Sequence, residues 1–372
     1  MKIPSFKLER YFAKYEFTAP YLLCSSDCES FSVRELLDFE PGSAEAFQEH
    51  WLGYTESQGD LRLREEIARL YRQILVDQVL VHAGAEEAIF IFINTMLSAG
   101  DHVIVHYPCY TSLVDIATAA GCRVTNWAVA EEDNWELDLD FLRSSISSNT
   151  KAIIFNCPHN PTGYLMSVEK FQQILELARQ YNLLVFSDEV YRGLEYRQEE
   201  RLPAACDLYE NAISLGVMSK TYGLAGLRVG WIATRNQEVY KAMAAFKDYT
   251  TICNSAPSEF LAALALRNKE KIVQRNLEIV RSNLSRLDDF FAANEEIFDW
   301  SRPRAGSIAF PSLKVDRDID SFCSDLVAKE GVLLLPGTSF DYGHKNFRVG
   351  FGRRNMPQAL ERFEAYVKRN YH

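Results

Sequence analysis

The middle of the chain alternates short runs of Val, Ile and Leu with stretches of helical periodicity, and this alternation restricts the fold more than any other feature. Seven strands are predicted, over residues 78–82, 102–107, 123–129, 151–155, 183–187, 212–216 and 229–233. Helical patterns fall between them, as at 86–97, 110–120 and 168–181. A strand that returns to its sheet through a helix runs parallel to its predecessor, so a mostly parallel, helix-covered sheet is expected. The strands are apolar throughout rather than alternating, which fits burial on both faces. The fold class is α/β.

At 372 residues the chain exceeds the length at which single cores usually divide. After a long helical pattern at 271–294 the texture changes. Strand-like runs at 307–313, 332–335 and 347–351 mix with helices at 319–330 and 357–370, as in a smaller α+β domain. The expected division is an N-terminal arm over 1–45 that joins the small domain, with a short helix at 32–38. A large domain follows over 46–275, then the small C-terminal domain over 276–372.

The net charge of −11 argues against nucleic acid or an anionic membrane as a partner. The N-terminal residues lack the apolar core of a signal peptide, and the longest apolar stretch, 88–97, is far short of a membrane span. Eight cysteines are scattered without a CxxC pair, so no metal site is expected. Reduced thiols in a cytoplasmic protein are the expectation.

The chemistry is concentrated at strand ends. Lys220 stands in Ser219-Lys220-Thr221-Tyr222-Gly223-Leu224-Ala225-Gly226-Leu227-Arg228. A lysine framed by Ser219 and a glycine-punctuated loop, with Arg228 eight positions on, suits a Schiff base with pyridoxal 5'-phosphate (PLP). The lysine bonds the aldehyde and the arginine takes the phosphate. Asp188, closing the strand at 183–187, would pair with the pyridine nitrogen and keep the ring electron-accepting; alone it reads equally as a helix N-cap. Tyr191 and Asn160 can both reach the ring's phenolic oxygen, although Asn160-Pro161-Thr162-Gly163 is also a good turn in its own right.

Gly84-Ala85-Glu86 opens a helix after a strand, where free amides bind phosphate. Glu86 and Glu87 suit the helix dipole but would have to point away from that phosphate. Tyr110 is placed to stack on the pyridine face, or else to pack in the core. Arg348, in Phe347-Arg348-Val349-Gly350, could fork onto a substrate carboxylate. The aromatic arm of Phe6, Tyr11, Phe12, Tyr15 and Phe17 either covers the pocket or packs in the core.

Taken together, Asn160, Asp188, Tyr191, Lys220, Arg228 and Arg348 resemble the class I/II aminotransferases over nearly the whole chain. The resemblance implies the PLP-dependent transferase fold type I, with a seven-stranded sheet in the large domain. It implies catalysis by Lys220, Asp188 and Tyr191, and substrate binding by Arg348 and Asn160. The activity implied is transfer of an amino group between an α-amino acid and a 2-oxo acid through a Lys220 Schiff base. It also implies a homodimer in which Tyr54, in Gly53-Tyr54-Thr55, crosses to the neighbouring phosphate site, and a strand near Ile308 edging the substrate pocket.

One departure is Val217, where many members carry a hydroxyl that bonds the phosphate. Gly216-Val217-Met218-Ser219-Lys220 and Cys24-Ser25-Ser26-Asp27 look more like the capreomycidine synthase subgroup. That likeness implies the alternative of a PLP-dependent lyase or cyclase using the same quinonoid chemistry. A PLP-sensing regulator with a DNA-binding domain does not fit the acidic chain, which shows no helix-turn-helix before Tyr54.

Overall fold

The computed structural model describes residues 2–371; Met1 and His372, the outer ends of the two terminal segments, lie outside the described residues. The central sheet contains Val79–His82, His102–Tyr107, Arg123–Ala128, Thr150–Asn156, Leu184–Asp188, Ala212–Val217 and Gly230–Thr234. Named by first residue, the strand order is Val79, Gly230, Ala212, Leu184, Thr150, His102, Arg123. Each strand begins and ends within about a residue or two of its expected place.

Six strands run parallel and Gly230–Thr234 runs antiparallel to both its neighbours. The cause is local. Between Val217 and Gly230 there is no crossover helix, only the 3-10 turn Ala225–Leu227, so the chain doubles back. Helices Ala85–Met96 and Val168–Gln180 pack against the sheet through Ile91, Phe92 and Ile93 in the first and Phe171, Ile174 and Ala178 in the second. Much of the sheet interior is apolar: Ile104, Ile153, Ile154, Val185, Phe186 and Ile213 have no exposed surface.

The two ends of the chain meet beside this sheet. Tyr21–Leu22 pairs parallel with Val332–Leu333, and Phe347–Gly350 lies between Ile308–Ala309 and Leu335–Pro336. The expected continuous runs at 307–313 and 332–335 are each broken. Pro311 has no N–H to give a ladder, so Ile308–Ala309 and Ser312–Leu313 separate. The Leu334 carbonyl instead accepts from Tyr11 Oη at 2.9 Å. The long helix spans Lys269–Ala292 and the last helix Met356–Tyr371.

The N-terminal arm is more regular than expected. It forms the helix Lys7–Tyr15, whose Leu8 is buried and whose Tyr11 and Phe12 pack against the core, and then a short capped helix, Val33–Leu37. No helix among the described residues is long and apolar enough to cross a membrane.

Candidate functional site

A cavity of about 400 Å³ opens at the C-terminal ends of the parallel strands. The fold leads each strand into it at its last residues. Asp188 ends Leu184–Asp188 and is 5% exposed. Asn156 ends the neighbouring strand; its Nδ2 donates to the Asp188 carbonyl at 2.9 Å, while its Oδ1 accepts from the Asn160 amide at 2.6 Å. Adjacent strand ends thereby fix Asn160 relative to Asp188. The Asp188 carboxylate accepts from the Val190 amide at 3.2 Å. Burial nevertheless pushes its pKa up to about 7, a rise opposed by that amide and by the Lys220 charge.

Lys220 leaves the strand Ala212–Val217 on a loop closed by Gly223. The Gly223 φ is +68°, and a Cβ there would lie 2.5 Å from the Glu29 carbonyl, so glycine is required twice over. Lys220 Nζ donates to Ser26 Oγ at 2.8 Å. Burial lowers the pKa of the amine, and the charge of Arg348 adds to this; Asp27, Asp188 and Glu9 oppose it.

Gly84 and Arg228 meet on the opposite wall. Gly84 has φ +89°, and a Cβ would lie 2.6 Å from Arg228 Nη2. Gly230 is equally tight, since a Cβ there would lie 2.8 Å from the Ala85 nitrogen. A guanidinium is thus held against the N-terminus of Ala85–Met96, where free amides and the helix dipole favour an anion. Arg228 itself sits in the left-handed region at φ +52°, an unusual place for a long side chain. Ser219 and Val217 line the same wall.

Glu86 corrects one expectation. Glu87 does turn away, accepting from the Ala83 amide at 2.6 Å and from Thr251 Oγ1 at 2.8 Å. Glu86 faces the cavity and accepts from Ser112 Oγ at 3.1 Å. Burial pushes its pKa up to about 7, so the side chain can be carried as a neutral acid beside an anion.

Tyr110 lines the cavity with its ring 5.0 Å from that of Phe6. Tyr191 is 1% exposed, and its hydroxyl has no hydrogen-bond partner among the described residues. Burial raises both phenol pKa values, so both remain donors. Arg348, 2% exposed, donates Nε and Nη2 to the Cys24 carbonyl at 3.1 and 3.0 Å, and Nη1 to Asn160 Oδ1 at 3.1 Å. Among the described residues no carboxylate lies within ion-pair distance of it.

Ten of the expected residues therefore meet around one cavity: Ala85, Glu86, Tyr110, Asn160, Asp188, Tyr191, Ser219, Lys220, Arg228 and Arg348. Gly84 touches it through Arg228. Tyr54 does not line it and is 86% exposed. Ile308 does not line it either.

Five further cavity residues were not legible as site residues: Glu9, Glu16, Ser26, Asp27 and Arg353. Arg353 forks onto Asp27 through Nε at 3.1 Å and Nη2 at 2.9 Å. Only Ser26 and Asp27 carried a signal, within the Cys24-Ser25-Ser26-Asp27 likeness.

These residues fit pyridoxal phosphate. Tyr191 offers an unused buried donor, Gly84 leaves an anion cradle that a Cβ would fill, and a buried carboxylate and an amine share the floor. The profile of the family described as "Aminotransferase class I and II" matches residues 22–363. The chain belongs to the class I and II aminotransferase family.

Its likeness to solved aminotransferases extends over the whole chain. The structure of a PLP-dependent aminotransferase from Streptococcus suis 89-1591 superposes with a TM-score of 0.93 at 31% identity, covering 99% of each chain. That of a PLP-dependent cyclase, OrfR, gives a TM-score of 0.91 at 29% identity over 99% of this chain and 98% of that one. Capreomycidine synthase from Streptomyces vinaceus is 30% identical over 351 residues, 94% of this chain and 90% of that protein. This aminotransferase-family chain is a PLP enzyme of fold type I.

Proposed function

We propose that the chain transfers an amino group from an α-amino acid to a 2-oxo acid. The observation that carries this reading is the buried Arg348 guanidinium, which lacks a counter-ion among the described residues and faces the cavity shared by Lys220 and Asp188. A buried charge without a partner is costly, and a substrate carboxylate forked onto Arg348 would relieve the cost.

Bound in this cavity, pyridoxal phosphate would supply an aldehyde for covalent capture of amines and an electron-accepting ring. The residues divide the remaining work. Lys220 Nζ would hold the aldehyde, and the N-terminal amides at Gly84–Glu86, with Ser219 and Arg228, would hold the phosphate. Val217 offers no hydroxyl there. Asp188 would hold a proton on the ring nitrogen; a cationic partner stabilises its carboxylate against burial. Asn160 and Tyr191 would donate to the phenolic oxygen, and Tyr110 would cover the ring. Arg348 orients the substrate so that its α-hydrogen faces Lys220. Freed by the substrate amine, Lys220 Nζ would take that proton and later deliver it to the carbon that had been the aldehyde.

Several coarser features belong to the same reading. Exposed Tyr54 suits a homodimer in which it completes the partner's phosphate site. Pairing of residues 21–22 with 332–333 supports a small domain in which the 1–45 arm joins 276–372, beside a large domain at 46–275, although Leu36 packs with Leu63, Ile67 and Leu261 of the large domain. Eight free thiols, seven of them buried, suit the cytoplasm.

A second reading keeps the cofactor and changes the outcome to elimination or cyclisation. Likeness to two relatives, a capreomycidine synthase and a PLP-dependent cyclase, favours it. An absorbance scan of the purified holoenzyme, with amino acids added singly and no 2-oxo acid, separates the two. Conversion of the cofactor to its amine form, reversed by a 2-oxo acid, is the result expected of an aminotransferase. Continuous turnover without an acceptor would replace transfer with elimination or cyclisation.

A further inference from the structure

The segment 24–29 crosses the floor of the cavity and is seated with unusual closeness. A Cβ at Gly350 would lie 1.9 Å from the Ser25 carbonyl, one at Gly352 2.3 Å from the Asp27 carbonyl, and one at Gly223 2.5 Å from the Glu29 carbonyl. Three glycines from two distant stretches of chain thus let this backbone lie directly on theirs. Hydrogen bonds hold it at each step. The Gly350 amide donates to the Leu23 carbonyl at 3.0 Å, the Glu29 amide to the Gly352 carbonyl at 2.8 Å, and Ser307 Oγ to the Ser26 carbonyl at 2.8 Å. Two contacts place the Ser26 side chain relative to the catalytic lysine: the Cys28 amide reaches the Lys220 carbonyl, and Lys220 Nζ reaches Ser26 Oγ at 2.8 Å.

A lysine amine on a flexible four-carbon stem needs such a partner. When the substrate has displaced it, the neutral amine carries two hydrogens and one lone pair, and only the lone pair can take a proton. An oxygen that accepts one N–H bond limits where the lone pair points. Ser26 Oγ, 2.8 Å away on the seated segment, is such an oxygen.

We propose that Ser26 is a positioning residue for proton transfer by Lys220, its Oγ accepting an N–H bond that turns the amine's lone pair towards the substrate α-carbon. The step balances simply. The substrate C–H bond breaks and leaves its electron pair on the α-carbon, to be drawn into the electron-accepting ring that pyridoxal phosphate would supply; the amine's lone pair forms the N–H bond, and Lys220 becomes an ammonium whose charge faces Asp27. The return step reverses this, and nothing is oxidised or reduced at the lysine. The proposal rests on the reading of Lys220 as the proton carrier.

The cofactor-free chain gives a first test. The acidity of the Lys220 amine can be followed by its pH-dependent acylation, read by mass spectrometry. Asp27, Asp188, Glu9 and Glu16 face this amine and favour its charge, and Arg348 disfavours it. All five remain in a Ser26→Ala variant. Removing the acceptor is expected to lower the amine pKa by about half to one unit, and Ser26→Thr is expected to restore it. In the holoenzyme, exchange of α-protons from an equimolar mixture of common amino acids into D2O, followed by NMR, is expected to slow by about 10- to 100-fold in Ser26→Ala. Cofactor affinity should stay within about twofold, and Ser26→Thr should recover the rate. An unchanged amine pKa together with an unchanged exchange rate in Ser26→Ala would overturn the role of Ser26 and leave the reading of Lys220 standing. Exchange that persists in Lys220→Ala would overturn that reading instead. Should Ser26→Ala not fold, the near-isosteric Ser26→Cys, a much weaker acceptor, takes its place under the same two criteria.

Discussion

Arg348 Nη1 and Asn160 Oδ1 are joined by a 3.1 Å hydrogen bond, linking residues 188 positions apart. The bond fixes the guanidinium proposed to hold the substrate carboxylate to the loop proposed to serve the cofactor's ring. A lysine in this place could keep the charge but could not fork onto a carboxylate while still bonding Asn160 and the Cys24 carbonyl. Arg348→Lys is therefore expected to raise the KM for the amino donor by about 100-fold, in line with ~2–5 kcal/mol for a buried charged contact. Steady-state kinetics check this; a KM within a factor of two of the parent would make Arg348 a purely structural residue.

Asp188 couples ionisation to stability. Burial raises its carboxyl from 3.8 to about 7 in the cofactor-free chain. A raised folded-state pKa means the folded chain holds a proton that the unfolded chain has released, so this residue's contribution is lost as pH climbs from about 4 through about 7. An uncharged asparagine side chain in its place would carry no such penalty. The melting temperature of Asp188→Asn minus that of the parent, both cofactor-free, should rise by a few degrees between pH 5 and pH 8. A difference independent of pH would contradict the burial argument. In the loaded enzyme the same substitution is expected to lower kcat by at least ~100-fold, because the charge opposite the ring nitrogen is gone.

At Gly84 the backbone conformation and the close approach of Arg228 forbid a side chain together. Gly84→Ala is expected to cost about 1–2 kcal/mol from the left-handed φ. It should also displace the guanidinium, weakening cofactor binding by about tenfold or more. Fluorescence titration of the cofactor-free protein with pyridoxal phosphate measures this; unaltered affinity would remove Gly84 and Arg228 from the phosphate site.

Tyr54 is expected to act across a dimer. Analytical ultracentrifugation should find two copies associated, and Tyr54→Phe should leave the melting temperature of the cofactor-free protein unchanged, because the side chain is exposed in a single copy. Its effect should appear as weaker retention of cofactor on dialysis. A monomeric holoenzyme with full activity would refute the crossing role.

Much of this was legible in the sequence because it is local. Runs such as Ala212–Val217 announce buried strands, and residues at their ends fall at the mouth of the sheet, so Asp188, Asn160 and Lys220 could be assigned together. The small strands were less legible. Ile308–Ala309 and Ser312–Leu313 read as one run because the interruption depends on a missing amide at Pro311. Glu9, Glu16 and Arg353 carried no signal, since each becomes a site residue only when the two chain ends fold over the cavity. The direction of the Glu86 side chain was missed for a similar reason: Ser112, which donates to its carboxylate, lies on another helix.

The seat of the segment 24–29 also has a consequence for synthesis. Along the chain, the partners of Ser26 and Asp27 follow by 194 residues at Lys220, 281 at Ser307 and 326 at Arg353. The nascent chain must carry the segment without its full resting place until Arg353 has emerged. Closure of the cavity floor thus waits on synthesis through Arg353, and capture of cofactor by the finished floor marks a chain extended at least that far.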